Sequence, residues 1–111
     1  MLKYFFPENS SDVIAEGNYP EGFILYQNYP NPFNPTTNIR FRISDRGFIS
    51  LKVYDILGKE VTTLINEELS AGDYEVELNA SSGIRDLVSG IYFYQLRAGS
   101  FVETKKMMYL K

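Results

Sequence analysis

The sequence predicts an all-β fold, an antiparallel β-sandwich of about seven strands, and three observations carry that expectation. Aromatic residues make up 15% of the 111 positions, nine Tyr and eight Phe with no Trp. Together with many Val, Ile and Thr they tilt the composition toward strands. Apolar residues then recur at every second position in several short runs, the period of a half-buried strand. Between the runs stand Gly, Asn, Asp and Ser, at intervals that suit a sandwich or barrel.

Residues 1–22 mix Pro7, Gly17, Pro20 and Gly22 without a sustained period and read as a linker or approach segment, leaving 23–111 as the folded domain. The opening burst Leu2, Tyr4, Phe5 and Phe6 is stopped by Pro7 and Glu8. It is far too short for a signal-peptide core or a membrane span.

Phe23–Gln27 reads as the first strand of the domain. Asn28–Thr37 follows with Pro30, Pro32 and Pro35 at near-alternating spacing. Each ring fixes φ and biases the residue before it to extended geometry, so the stretch should be stiff and inexpensive to order. It reads either as a rigid lead-in that seals one end of the sandwich with Phe33 or as an exposed peptide for a partner.

Ile39, Phe41 and Ile43 then alternate with Asn38, Arg40 and Arg42, a strand with one wet face. Ser44–Gly47 supplies turn chemistry, after which Ile49, Leu51 and Val53 alternate with polar neighbours, so the two runs are expected to form a hairpin. Gly58 suggests a second tight reversal. Val61–Ile65 is expected as a strand because it is short and β-branched, although Val61, Leu64, Ile65 and Leu69 also fit a helical spacing. Tyr74, Val76 and Leu78 alternate with Asp73, Glu75 and Glu77. Gly90 opens Ile91–Leu96, apolar on both sides and therefore expected at the centre of a sheet. Ala98–Ser100 turns the chain into a last strand, Phe101–Leu110. The strand number and spacing suit an immunoglobulin-like sandwich.

Several chemistries are excluded by what the chain lacks. Without His or Cys it has neither the commonest general base near neutral pH nor a thiolate nucleophile, a thiolate metal site or a disulfide. A net charge of −3 has the wrong sign for gripping nucleic acid through its phosphates. The charges are polarised: residues 66–78 hold Glu67, Glu68, Asp73, Glu75 and Glu77 with no cation, whereas 97–111 hold Arg97, Lys105, Lys106 and Lys111 against Glu103. Both read as solvated strand faces. Asp73, Glu75 and Glu77 share one wet face with nothing to push their pKa values apart, and the acidic spacing fits no calcium loop. No phosphate-binding glycine loop and no nucleophile elbow occur. The expectation is a non-catalytic domain without metal or cofactor.

Blocks of the sequence nonetheless form a pattern. They are Leu25–Thr37, Leu51–Val61, Ala71–Tyr74 and Ser89–Tyr94, followed by Gly99 and Lys105-Lys106. In this order the chain resembles the C-terminal sorting domain of type IX secretion cargo (type A), a family close to the immunoglobulin-like domain of the flagellar hook-capping protein. The resemblance covers roughly 23–111. It implies a sandwich at the end of a larger exported protein of a Gram-negative bacterium, crossing the periplasm to the cell surface or the medium. It further implies that an outer-membrane translocon recognises the domain and that a sortase-like peptidase usually removes it, with a cut expected within 1–22. An export signal would then lie at the distant N-terminus of the cargo.

Asn31, Pro32, Phe33, Asn34, Gly58, Gly90, Tyr92 and Lys106 fall on the family's most characteristic positions. The two glycines are explained by backbone geometry, and Tyr92 by core packing with its hydroxyl tied to a loop, as in a tyrosine corner. Lys105 and Lys106 are the candidates for contact with another protein, on a basic edge strand readable by pairing or by charge. The connection 79–88 is longer than usual for the family, which leaves the register of the strands beside it open. Two other readings remain: a hook-capping-like assembly module, and a carbohydrate-binding sandwich with Tyr26, Tyr29 or Tyr94 as stacking platforms.

Overall fold

A computed structural model describes residues 2–5, 22–81 and 87–111. Its strands are β1 (Leu2–Phe5), β2 (Ile24–Leu25), β3 (Thr36–Ile43), β4 (Gly47–Tyr54), β5 (Glu60–Leu69), β6 (Gly72–Asn79), β7 (Gly90–Ala98) and β8 (Phe101–Tyr109). They form two four-stranded antiparallel sheets, ordered β1-β6-β3-β2 and β5-β4-β7-β8. Seven of the strands lie between Ile24 and Tyr109, as the turn spacing predicts. The eighth comes from the approach segment, where Leu2–Phe5 pairs with Val76–Asp73 along the outer edge of β6. The remainder of that segment lies outside the described residues.

Alternation places the core as expected. Ile39, Phe41 and Ile43 of β3 and Tyr74, Val76 and Leu78 of β6 are buried, as are Ile49, Leu51 and Val53 of β4 and Tyr92, Tyr94 and Leu96 of β7. Phe41 and Tyr74, opposite one another in the ladder, stack at 5.5 Å between ring centroids. Each such side chain contributes roughly 1.5–3 kcal/mol by leaving water, and a single cluster takes in both inner faces. β7 sits between β4 and β8, an interior strand as expected, with its inward face buried and Ile91, Phe93 and Gln95 half-buried on the other.

The structure corrects two expectations. Asn38–Ile43 and Ile49–Val53 do not form a hairpin: β3 pairs with β2 and β6, and β4 with β5 and β7. The Ser44–Arg46 turn carries the chain from one sheet to the other, so the matched apolar faces meet across the core instead of side by side. A matched pattern is required by either arrangement, and the pattern alone does not separate them. The second correction concerns the acidic face of β6. Asp73 is only 8% exposed. Its two carboxylate oxygens accept from Nε and Nη2 of Arg42 at 2.6 and 2.9 Å across the β3–β6 ladder, the bidentate geometry of a strong charge-assisted pair.

The hairpins at Gly58 and at Gly99 are present as predicted, and Val61–Ile65 lies inside β5. Its helix-like spacing has a specific cause. The β4–β5 register slips between Leu51 and Lys52 and again between Val53 and Tyr54, leaving Leu64 and Val61 as extra residues on β5. Two bulges insert two residues, and an alternating strand then imitates a period between three and four. On either side of the 79–88 connection the ladders run without a slip, from Gly72 to Asn79 on β6 and from Gly90 on β7. Residues 82–86 lie outside the described residues.

Candidate functional site

The proline-rich stretch spans the gap between the two sheets on one open side of the sandwich. At its start Tyr26 donates its N–H to Arg40 O of β3 at 3.0 Å, while Gln27 Nε2 donates to Lys106 O of β8 at 2.8 Å. Neighbouring residues thus hold opposite sheets. The Tyr94 hydroxyl, buried at the centre of β7, fixes the crossing point by donating to Tyr26 O and accepting from Asn28 N, both at 2.8 Å. Burial pushes the Tyr94 phenol well above its ordinary range, opposed by the Asn28 N–H bond and reinforced by the carboxylate of Glu103.

Asn28, 2% exposed, organises the bend that follows. Its Nδ2 donates to Thr37 Oγ1 at 2.9 Å and to Pro30 O at 3.2 Å, and Thr37 Oγ1 donates to Pro30 O at 2.8 Å. Tyr29 and Asn38 exchange both backbone bonds. A closed polar network of this kind leaves no buried donor stranded, which rigidifies the loop. The peptide bonds before Pro30, Pro32 and Pro35 are cis.

Next the loop meets the last strand. Phe33 N–H donates to Met108 O at 3.0 Å, and Leu110 N–H donates to Phe33 O at 3.1 Å, making a parallel bridge between Phe33 and Tyr109. Met108 N–H donates to Asn31 Oδ1 at 2.9 Å. The Phe33 ring is 2% exposed and lies 5.1 Å from that of Tyr109. Asn31, Pro32 and Phe33 therefore act as a one-residue fifth strand on the β8 edge, sealing its C-terminal half. Phe33 closes the sandwich, as the lead-in reading expects, and Asn31, Pro32 and Asn34 are exposed.

The other predicted positions are distributed over one pole and one edge. Gly58 closes the β4–β5 hairpin with φ 87°, where Asp55 O accepts from Gly58 N–H and Asp55 Oδ1 accepts from the N–H groups of Leu57 and Lys59. Gly90, φ 153°, opens β7 opposite Tyr109. The Tyr92 hydroxyl donates to Val88 O at 2.7 Å and accepts from Val88 N–H, a tie to the chain four residues upstream of the kind expected. Beside them lies a recess of 560 Å³ walled by the hairpin tip and residues 87–92, with Ile56, Leu57 and Val88 exposed on its rim.

Lys105 and Lys106 do not form one basic patch. Strand alternation sends them to opposite faces: Lys105 lies on the core-side face of β8 with Nζ 3.5 Å from Glu103, and Lys106 is exposed. Nor is Tyr94 available for stacking, being fully buried. Among the described residues no three of Asp, Glu, His and Cys converge as metal ligands. Sequence reasoning missed Gln27, Asn28, Thr37 and Met108 as members of the site. Asn28 beside a proline-rich turn was the available signal; Gln27 and Thr37 act through side chains whose partners are set by the fold, and Met108 through its backbone alone, none of which the composition of the run displays.

A family model described as secretion system C-terminal sorting domain matches residues 27–110. That span runs from Gln27, which grips β8, to Leu110, which closes the bridge to Phe33. No curated protein matches the chain. The match takes in both partners of every contact between the proline-rich loop and the last strand, and the chain belongs to the secretion system C-terminal sorting domains, the family of non-catalytic sorting signals that mark attached cargo for type IX export toward the cell surface or the extracellular space.

Proposed function

We propose that residues 23–111 are the unit that the outer-membrane translocon of the type IX system reads, after transit through the periplasm. Residues 1–22 are the approach segment from the cargo, in which a sortase-like peptidase cuts. The surface read is the exposed rim where the loop meets the last strand: Asn31, Pro32 and Asn34 on one side, and Lys106, Met108 and Leu110 on the other. Phe33, Gly58, Gly90, Tyr92 and Lys105 support that surface from behind or beside it.

One observation supports this most directly. The loop and the last strand are joined by two backbone bonds between Phe33 and Met108 and Leu110 and by a third from Met108 N–H to the Asn31 side chain, so two segments distant in sequence make one rigid face that an unfolded tail would lack. Rigid, preformed faces lose little entropy on binding.

The test fuses residues 1–111 to a periplasmic reporter in a bacterium that has the secretion system, and measures the external fraction. Export is expected with the native sequence. It is expected to fall severalfold with Asn34→Ala combined with Lys106→Ala, two exposed changes that leave the core intact. An external fraction no greater than that of the untagged reporter rejects the sorting surface altogether. Export unchanged by the double variant rejects this placement of it.

A further inference from the structure

The sealed half of β8 ends at Lys106, and the half before it is an open sheet edge. Met108 directs both its N–H and its C=O away from β7, to Asn31 and Phe33. In an antiparallel ladder alternate residues share a side, so Lys106, Thr104 and Val102 also direct their backbone groups outward. Lys106 O accepts from Gln27 Nε2, which agrees with that parity. Among the described residues no backbone bond reaches the outward groups of Thr104 or Val102, and the Val102 side chain is 44% exposed. Of Lys106 only the N–H is left on this side, so among the described residues about 14 Å of edge, from Val102 to that N–H, is unpaired.

The side chains along this edge select an occupant. Glu103 and Lys105 flank Thr104 on the core-side face, 3.5 Å apart at their charged ends. An antiparallel copy of the same edge, related by a two-fold axis through Thr104, sets Glu103 opposite Lys105 of the second copy and Lys105 opposite its Glu103. Val102 faces Lys106, and Thr104 faces itself. The 104–104 pair has the parity to exchange both backbone bonds, and at 102–106 the Lys106 N–H can donate to Val102 O while Lys106 O stays with Gln27. The Glu–Lys pairs then fall at the narrow, non-hydrogen-bonded positions, where opposing side chains come closest. A two-residue slip in either direction puts Glu103 against Glu103 or Lys105 against Lys105, so the charges also fix the register.

We infer that the Val102–Lys106 edge is a self-association surface, joining two copies of this chain through β8 into one continuous eight-stranded sheet. The interface is isologous, as two-fold pairing requires. Five residues of edge are small against a stable dimer interface, so the association is transient. The inference shares Lys106 with the sorting reading but does not rest on it, since that reading does not need a dimer and the charge pairs tested here, Glu103 and Lys105, lie outside the proposed sorting rim.

Sedimentation equilibrium of the full 111-residue chain at low salt tests it. Concentration-dependent dimer is expected by roughly 1 mM, with slowed hydrogen exchange at the amides of Val102, Thr104 and Lys106. Glu103→Lys alone and Lys105→Glu alone each oppose like charges and should weaken the dimer about tenfold. An equimolar mixture of the two variants, and the double swap E103K/K105E, restore opposite pairs and should recover it. Circular dichroism confirms that each variant is folded, and the mixture and the swap remain informative if either single variant is not. A strictly monomeric chain at that concentration overturns the inference and leaves the edge to an unlike strand. Single variants that dimerise as well as the native chain, or a mixture that fails to recover, overturn it equally.

Discussion

Tyr94 accepts the Asn28 N–H at 2.8 Å from inside the core, and the same hydroxyl donates to Tyr26 O. One phenol oxygen thereby positions both neighbours of Gln27, the residue from which the loop takes hold of β8. Tyr94→Phe keeps the ring and strands one donor and one acceptor, a loss of about 1–3 kcal/mol. Urea denaturation should show that loss with an unchanged slope.

The same residue sets an alkaline limit. Its folded-state pKa is raised above the ordinary value near 10, mainly by burial. A group raised in this way contributes stability that is fully present below its unfolded pKa and is lost as pH climbs through and beyond it. The native chain should therefore lose stability from about pH 10 upward, more steeply than Tyr94→Phe. Equal slopes in unfolding titrations between pH 9 and 11 would refute this.

Phe33→Ala removes a ring that is 2% exposed and opens a hole against Tyr109, costing about 3–5 kcal/mol. Asn31→Ala removes only the acceptor for Met108 N–H at an exposed site, costing about 1 kcal/mol or less. Thermal unfolding of the two variants should rank them in that order. Hydrogen exchange should then show the Met108 amide quickened by Asn31→Ala, with the β7 amides unaffected.

The Arg42–Asp73 pair is largely shielded, with side chains 15% and 12% exposed. Asp73→Ala leaves a guanidinium without that carboxylate in a partly dry place, and about 1–3 kcal/mol should be lost, discounted from the full cost of a broken buried pair because water still reaches it. A shift in the denaturation midpoint no larger than that of Glu77→Ala, an exposed position two residues further along β6, would show the pair to be inert.

What the chain disclosed in advance follows from how each feature is encoded. Side-chain alternation is local, so β3, β4, β6 and β7 and their buried residues were legible from Ile39 to Leu96. Partner choice between strands is not local. Ile39–Ile43 and Ile49–Val53 carry the same pattern whether they pair edge to edge or face to face, and only the length and path of the Ser44–Arg46 turn separates the two. β5 was correctly read as a strand, and its competing helical spacing came from the two bulges at Val61 and Leu64, which break the period that marks a strand. The site was legible as a list and not as a geometry: Asn31 and Phe33 carry a recognisable motif, whereas their partners Met108 and Leu110 contribute only backbone atoms. Lys105 and Lys106 were read together because they are adjacent, and the pleat separates them.

Gly58 isolates a backbone effect from a packing effect. Its φ of 87° lies where side-chain-bearing residues are rarely found, yet a Cβ built there meets nothing within 4 Å. Gly58→Ala should therefore cost only the conformational strain, about 1 kcal/mol. Asn tolerates the left-handed region better than Ala, because its short polar side chain can bond locally. Gly58→Asn should accordingly recover part of the loss, an ordering that steric crowding would reverse because Asn is the larger side chain. Thermal midpoints of the three proteins in the order Gly, Asn, Ala are the expected result, and Asn below Ala would mean that the hairpin tip is constrained by contacts instead of by φ.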